Sequence, residues 1–479
     1  MGFEFDSETR RKLGYQLVDL VDGYYASLPD RPVQLPRQQR TYGPLRDALP
    51  ELGDDPARVL GEIFGELVEK GFHVPAANYF GLMNPTPTYA GFLAEAMVAA
   101  LNPQLATLAR SQLASKIELE TVQWIAERVG WGESFGGTFT SGGNEANFSG
   151  MALALAAKFP SAVEDGVASI GAQPVAYASN ESHHSLDKSA GLLGIGRKAL
   201  RRVGLNSSLQ MDPAKLERAV AEDRAAGRVP FCAVATAGTT NSGIVDDLVA
   251  TAEICRRHGL WLHVDGAFGA AAVFSDLHRD LVKGIELADS ITVDPHKWLA
   301  VPFAAGVILT THPKVLEQAF SVASPYMPKA AGAYLPDNAR ISTQWTRRMN
   351  SLKLWLTLRI HGRQAYEEHI DRQVRLSRAF ARWIEASEEF ELAAPVMLTI
   401  VNFRVKGVGA VEMGRVHSAL VEEVTRDGQR WISDTVVNGA NVLRMMVISY
   451  LTEERHLEAL QRALQAATRK VMAGEAKAG

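Results

Sequence analysis

Leu13, Leu17, Leu20, Val21, Tyr24 and Leu28 recur at helical spacing, so the chain opens on an amphipathic helix for which Asp6 or Ser7 can act as cap. Its apolar stripe must be buried somewhere. The next stretch, LPDRPVQLPRQQRTYGP, is too rich in proline for a helix or a central strand and reads as a linker or wrapping arm. Helical periodicity returns over residues 56–69, 89–108 and 112–128, and the turn-rich NYFGLMNPTPT divides the first two. The N-terminal region is therefore expected to be all-helical.

From about residue 137 to 311 the pattern changes. Short β-branched or apolar runs, GTFTS, PVAYAS, FCAVATA, LWLHVDG, DSITVD and GVILT, alternate with helical stretches such as 246–258. That alternation predicts βαβ units and a mainly parallel sheet. Helices follow over 351–362 and 364–387, and the last hundred residues mix the strands MLTIVNFRV and VLRMMVIS with helices over 411–426 and 452–470, as in a smaller α+β domain.

Composition narrows the function classes. The 479 residues are enough for more than one packed unit, and 50 basic against 54 acidic residues, without a long Lys/Arg block, give no electrostatic support for a nucleic-acid or membrane partner. A small-molecule partner is expected. Cys232 and Cys255 lie in no Cys-x-x-Cys pair and read as core thiols in a reducing compartment. The N-terminus lacks an apolar signal core and no apolar run nears the roughly 20 residues a spanning helix needs, so the expected location is the cytoplasm.

Chemistry-bearing residues cluster just after the strand-like runs, where ligands of open α/β sheets bind. Thr140 to Asn147 (TSGGNEAN) places a glycine pair between strand and helix, which suits a phosphate at a helix N-terminus but alone is no more than a tight turn. Lys297, in DPHKW after SITV, is set in an apolar stretch where burial would lower its pKa, as imine chemistry needs; the commoner fate of such a lysine is to reach solvent. Alternation sends His263 and Asp265 to one side of their strand, and Asp265 can cap the next helix or pair with a buried cation such as a pyridinium nitrogen. In NESHHS an imidazole can stack on a flat ring or transfer protons; a metal site is disfavoured, since no metal-ligand spacing accompanies the histidines. Gly238-Thr239-Thr240 adds hydroxyls to the same crevice. A phosphate cradle, a lysine, a carboxylate and a ring-stacking partner fit pyridoxal phosphate better than a nucleotide, and no Gly-x-Gly-x-x-Gly follows the first strand.

TSGGNEAN, SNESHHSLDKSAGLLGIG, ATAGTTNSG, WLHVDGAFG, DPHKWL and RRMNSLKLWLTLRIHG, in this order, resemble the group II pyridoxal-phosphate-dependent decarboxylases, which include aromatic-L-amino-acid, glutamate and cysteine-sulfinate enzymes. The resemblance runs from residue 2 to about 470. It implies an α/β chain of fold type I with a helical segment over 1–85 packing on a partner subunit, a large cofactor-binding domain over 86–370 with a mainly parallel seven-stranded sheet, and a small α+β domain over 371–479. A homodimer with sites at the subunit interface is implied as well. By matching motifs, Lys297 would carry the cofactor, Asp265 would pair with the ring nitrogen, His183 would stack on one ring face and Ala267 would lie on the other. Gly142, Gly143 and Asn144 would hold the phosphate with help from His296; Thr240 matches a threonine near the cofactor, and Asp246 an acidic partner in that region.

Two departures bear on product and substrate. Eukaryotic aromatic enzymes carry a loop tyrosine that aids Cα protonation; here an ungapped reading puts Asn338 in its place, with Tyr334 four residues earlier. Tyr334 could take that role through a shifted loop, and failing it the carbanion could meet oxygen and give an aldehyde. The segment before the Glu-Leu-Glu-Thr motif, Ala106 to Arg110, is smaller than in the aromatic enzymes; Leu108 is expected at the substrate, and Arg110 could recognise an acidic group or serve a surface ion pair. Tyr79, Phe80, Met83 and Pro85 match a segment that lines the family's substrate cleft, and could equally be ordinary core contacts. The expectation is decarboxylation of an aromatic or bulky apolar L-amino acid to its amine. The rivals are an aldehyde-forming enzyme on the same scaffold and a catalytically silent binding relative.

Overall fold

The computed structural model describes residues 3–40, 49–133, 135–322 and 336–474. Helix α1 (Ser7–Ser27) is capped by Asp6, whose carboxylate accepts the Thr9 N–H at 2.7 Å. It packs on α2 (Pro56–Lys70), which combines an Asp55 cap with proline in its first turn. Helix α3 (Tyr89–Leu101) stops short of residue 108: Asn102 takes a left-handed conformation and Pro103 follows. Helix α4 (Gln112–Val129) closes on Gly130, at φ +101°.

The central sheet has seven strands: β1 (Gly136–Thr140), β2 (Pro174–Ser179), β3 (Leu200–Val203), β4 (Val229–Thr236), β5 (Trp261–Asp265), β6 (Ser290–Val293) and β7 (Gly306–Thr310). Their order is β1-β7-β6-β5-β4-β2-β3, with β7 antiparallel to both neighbours and the other pairs parallel. Six of the seven coincide with the runs read from sequence. The seventh, β3, is an edge strand of four residues, two of them arginines on its more open positions, so it carries almost no apolar signal. Residues of β2, β5, β6 and β7 are buried along their whole length, as expected of strands covered on both faces. Helix α5 (Gly143–Lys158) lies across β4 to β7.

A second, antiparallel sheet follows, β8 (Phe390–Leu392), β9 (Ile400–Val405), β10 (Ser433–Val437) and β11 (Ala440–Met446), in the order β10-β11-β9-β8, with helices Ala410–Thr425 and Glu454–Met472. The two helices expected around residue 363 form one element, Ser351–Ala386, broken only by the non-helical Gly362. Its side chains change core part-way: Tyr366, Ile370 and Val374 join the large-sheet core, whereas Leu376, Phe380 and Ile384 join that of the small sheet.

Candidate functional site

Loops leaving β1, β2, β4, β5 and β6 meet at one cavity of about 310 Å³. At its β1 side, Gly142 holds φ +153° and starts α5, a backbone conformation that a side chain would strain. A Cβ on Gly143 would stand 2.6 Å from Asp294 Oδ2, so only glycine admits this approach. The first helical bond is made by Glu145 to the Gly142 carbonyl, which leaves the Gly143 and Asn144 amides at the open helix end, where the dipole favours an anion. Glu145 braces the turn by accepting from the Ser141 N–H at 2.7 Å and from Gln344 Nε2 at 2.7 Å.

Lys297 and His296 arrive on the turn after β6. Lys297 turns its amine into the cavity, with its side chain still a quarter exposed: its Nζ lies 3.0 Å from Oδ2 of Asp294, a side chain 1% exposed. Asp294 Oδ1 has no hydrogen-bond partner among the described residues. His296 Nε2 is 3.8 Å from the same carboxylate, and burial lowers its pKa below the usual imidazole value. The turn is tied to the long helix Ser351–Ala386, where Tyr366 donates to the Leu299 carbonyl at 2.9 Å and His369 Nε2 stands 3.1 Å from that of Trp298.

Asp265 ends β5 with both oxygens engaged. Oδ2 accepts from Asn147 Nδ2 at 2.8 Å, and Oδ1 accepts the Ala267 N–H at 3.2 Å. His183 Nδ1 accepts the Ser185 N–H, so the neutral ring carries its proton on Nε2. Burial, opposed by Asp265 and reinforced by Lys297, holds its pKa below the ordinary value. Thr240 joins from the loop after β4, its carbonyl accepting from Arg444 Nη1 at 3.2 Å.

The nine sequence-derived residues Gly142, Gly143, Asn144, His183, Thr240, Asp265, Ala267, His296 and Lys297 thus line one cavity. Met83 lines it too, from the segment expected at the substrate. The aromatic residues of that segment go elsewhere: Tyr79 stacks on Trp431 at 5.5 Å between ring centroids, and Phe80 is buried in the core of the small sheet. Both rings find apolar partners there that shield them from water, Trp431 for Tyr79 and the cluster that includes Phe380 and Phe403 for Phe80. Pro85 and Leu108 are buried and stand outside the cavity lining. Arg110 is exposed and pairs with Gln104, Asn338 is fastened to the Leu105 carbonyl and Ser115, and Tyr334 lies outside the described residues. Asp246 holds the Met211 and Thr236 amides at 2.6 and 2.8 Å away from the cavity, with burial pushing its carboxyl up to about 6 against those donors.

Sequence reasoning gave no individual role to Asn147, Thr236, Phe268 and Asp294, which also line the cavity. Asn147 gave one signal, a poor helix former placed inside a helix. Beneath it Gly150 faces His263 so closely that an added Cβ would stand 2.3 Å from the ring. Gly150→Ala is accordingly expected to destabilise the fold by about 1–3 kcal/mol, despite alanine's better helix propensity. Chemical denaturation of the variant checks this, and a stabilised variant would contradict the packing.

A profile of the pyridoxal-dependent decarboxylase conserved domain matches residues 36–406. The chain belongs to this family. It is 28% identical to an aromatic-L-amino-acid decarboxylase of Bacillus atrophaeus over 98% of this chain and 97% of that one. It is equally 28% identical to a phenylacetaldehyde synthase of Arabidopsis thaliana, over 96% of each. Among solved structures, Catharanthus roseus tryptophan decarboxylase in complex with L-tryptophan superposes with a TM-score of 0.89 at 26% identity, covering 98% of this chain and 100% of that one. The protein is a pyridoxal-phosphate-dependent amino acid decarboxylase of fold type I. Its cavity fits the cofactor on chemical grounds: unengaged helix-terminal amides suit a phosphate ester, a lysine amine suits an aldehyde, and a doubly hydrogen-bonded carboxylate suits a protonated ring nitrogen.

Proposed function

We propose that the chain decarboxylates an aromatic or bulky apolar L-amino acid to its amine, as a cytoplasmic homodimer with sites at the subunit interface. The observation that carries the reading is the convergence of the Lys297 amine, the Asp265 carboxylate, the His183 ring and the open end of α5 in one cavity that also presents Met83 and Phe268. The naming of the Bacillus relative and the tryptophan bound by the Catharanthus enzyme support the aromatic class.

In this reading Gly142, Gly143 and Asn144, with His296 beside them, hold the cofactor's phosphate. His183, Ala267 and Thr240 would hold the ring, and Asp265 would stabilise a charge on its nitrogen. Lys297 would hold the cofactor through its amine. Bound pyridoxal phosphate supplies an electron sink for the pair left behind by carbon dioxide. His183, kept neutral with its proton on Nε2, can hold or move a proton at the reacting face, and Tyr334 is the proposed donor to Cα. Apolar side chains left open on the N-terminal helices, among them Val18, Ile63 and Leu101, support the dimer, and Leu108 is kept as a proposed substrate contact. Residues 1–85, 86–370 and 371–479 are its proposed units. The unpaired buried thiols of Cys232 and Cys255 suit a reducing compartment. Among the described residues no helix is long and apolar enough to cross a membrane.

Mass spectrometry of products formed in air from a mixture of amino acids, with pyridoxal phosphate added, tests the reading. The expected product is an aromatic amine, lighter than its precursor by one carbon dioxide. Turnover of an acidic amino acid instead would overturn the substrate class, and an aldehyde with peroxide would overturn the amine product and remove Tyr334 as the proton donor.

A further inference from the structure

Behind Asp265 lies a line of buried polar side chains that the reaction itself does not use. Trp261 Nε1 donates to Ser290 Oγ at 2.8 Å; Ser290 Oγ lies 2.8 Å from His263 Nδ1; His263 Nε2 lies 3.1 Å from Asn147 Oδ1; and Asn147 Nδ2 reaches Asp265 Oδ2 at 2.8 Å. Thr292 also donates to Asn147 Oδ1, at 2.7 Å.

The direction of every bond follows from the two ends. An ionised Asp265 can only accept, so the amide of Asn147 must turn its NH₂ toward it and its oxygen toward His263. That oxygen can only accept, so His263 carries its proton on Nε2 and presents the Nδ1 lone pair to Ser290. Ser290 receives the indole N–H of Trp261, which can only donate, and spends its own proton on Nδ1. The opposite tautomer would set the Nε2 lone pair against the Asn147 oxygen. His263 is wholly buried, and burial lowers its pKa to about 4, in keeping with a neutral ring. Gly150 leaves room for that ring on the helix that carries Asn147.

We propose that Asn147 is a positioning residue, the last member of a one-way donor chain from Trp261 through Ser290 and His263 that aims Asp265 and holds it as the anion facing the cofactor's ring nitrogen. This rests on the reading of Asp265 given above. Each group donates toward the carboxylate, and the assigned chain contains no acid that can neutralise it, so Asp265 meets the cofactor already charged and oriented.

The test has two independent parts. In the full chain freed of cofactor, ¹⁵N NMR of the histidines should show His263 as the Nε2–H tautomer; an Nδ1–H form or an imidazolium at pH 7 would overturn the chain. Spectroscopic titration with pyridoxal phosphate should then show Asn147→Leu binding about tenfold more weakly or worse, the loss expected when an ionised group loses a donor. Introduced into Asp265→Ala, the same Asn147→Leu change should add little further loss. If Asp265→Ala alone weakens binding while Asn147→Leu binds as the parent does, the positioning role fails and the reading of Asp265 stands. If Asp265→Ala binds as the parent does, that reading itself fails.

Discussion

Replacing Lys297 by alanine is expected to lower turnover by roughly three orders of magnitude or more, equivalent to at least about 4 kcal/mol of transition-state stabilisation. Among the described residues the cavity then presents no other lysine amine to take up and release the cofactor. The same change removes the cation 3.0 Å from Asp294, a carboxylate with one oxygen already unpartnered. The cofactor-free Lys297→Ala protein should therefore lose roughly 1–2 kcal/mol of stability, a modest figure because solvent still reaches the ammonium. Lys297→Arg separates the two effects. It keeps the cation beside Asp294 but has no amine that forms an imine, so turnover should be lost while stability is kept. Steady-state kinetics and denaturation of both variants decide the matter, and an alanine variant retaining a tenth of parental turnover would remove Lys297 from its assigned role.

Asp265→Ala is expected to cut turnover by about a hundredfold or more, some 2.7 kcal/mol, and to weaken cofactor retention. The carboxylate is held by the Asn147 amide and the Ala267 N–H, so it reaches the cavity as a fixed charge. Asp265→Asn tests charge apart from shape, since the amide keeps the side-chain outline and loses the anion. The two variants should be impaired to similar degrees. If the asparagine variant turned over at the parental rate, a charge at residue 265 would not be part of the reaction.

The local elements were largely legible because their signals lie in neighbouring residues. Asp6 marks a helix start, and uninterrupted apolar runs mark strands covered on both faces. Where the local signal was weak, the reading erred. Leu200–Val203, half arginine, has no apolar period, and the helix expected over 89–108 overran Asn102 and Pro103. Tyr79 and Phe80 show a different limit. Their aromatic character was plain in the sequence, but Trp431 and the core that claims Phe80 lie in the C-terminal unit more than 300 positions away.

By itself the sequence determined six strands of the large sheet and two of the small one, the polar residues at the ends of the large-sheet strands and, through the order of the motifs, the cofactor and the class of reaction. Those properties depend on period, capping and spacing within short windows. The tertiary structure decided which of these side chains meet and in what protonation geometry. Asn147 and Asp265 are 118 positions apart, and their bond exists only because α5 crosses the sheet close enough for Gly150 to touch the ring of His263. A hydrogen bond's direction depends on what each partner already donates and accepts, and those neighbours are set by packing, not by adjacency along the chain.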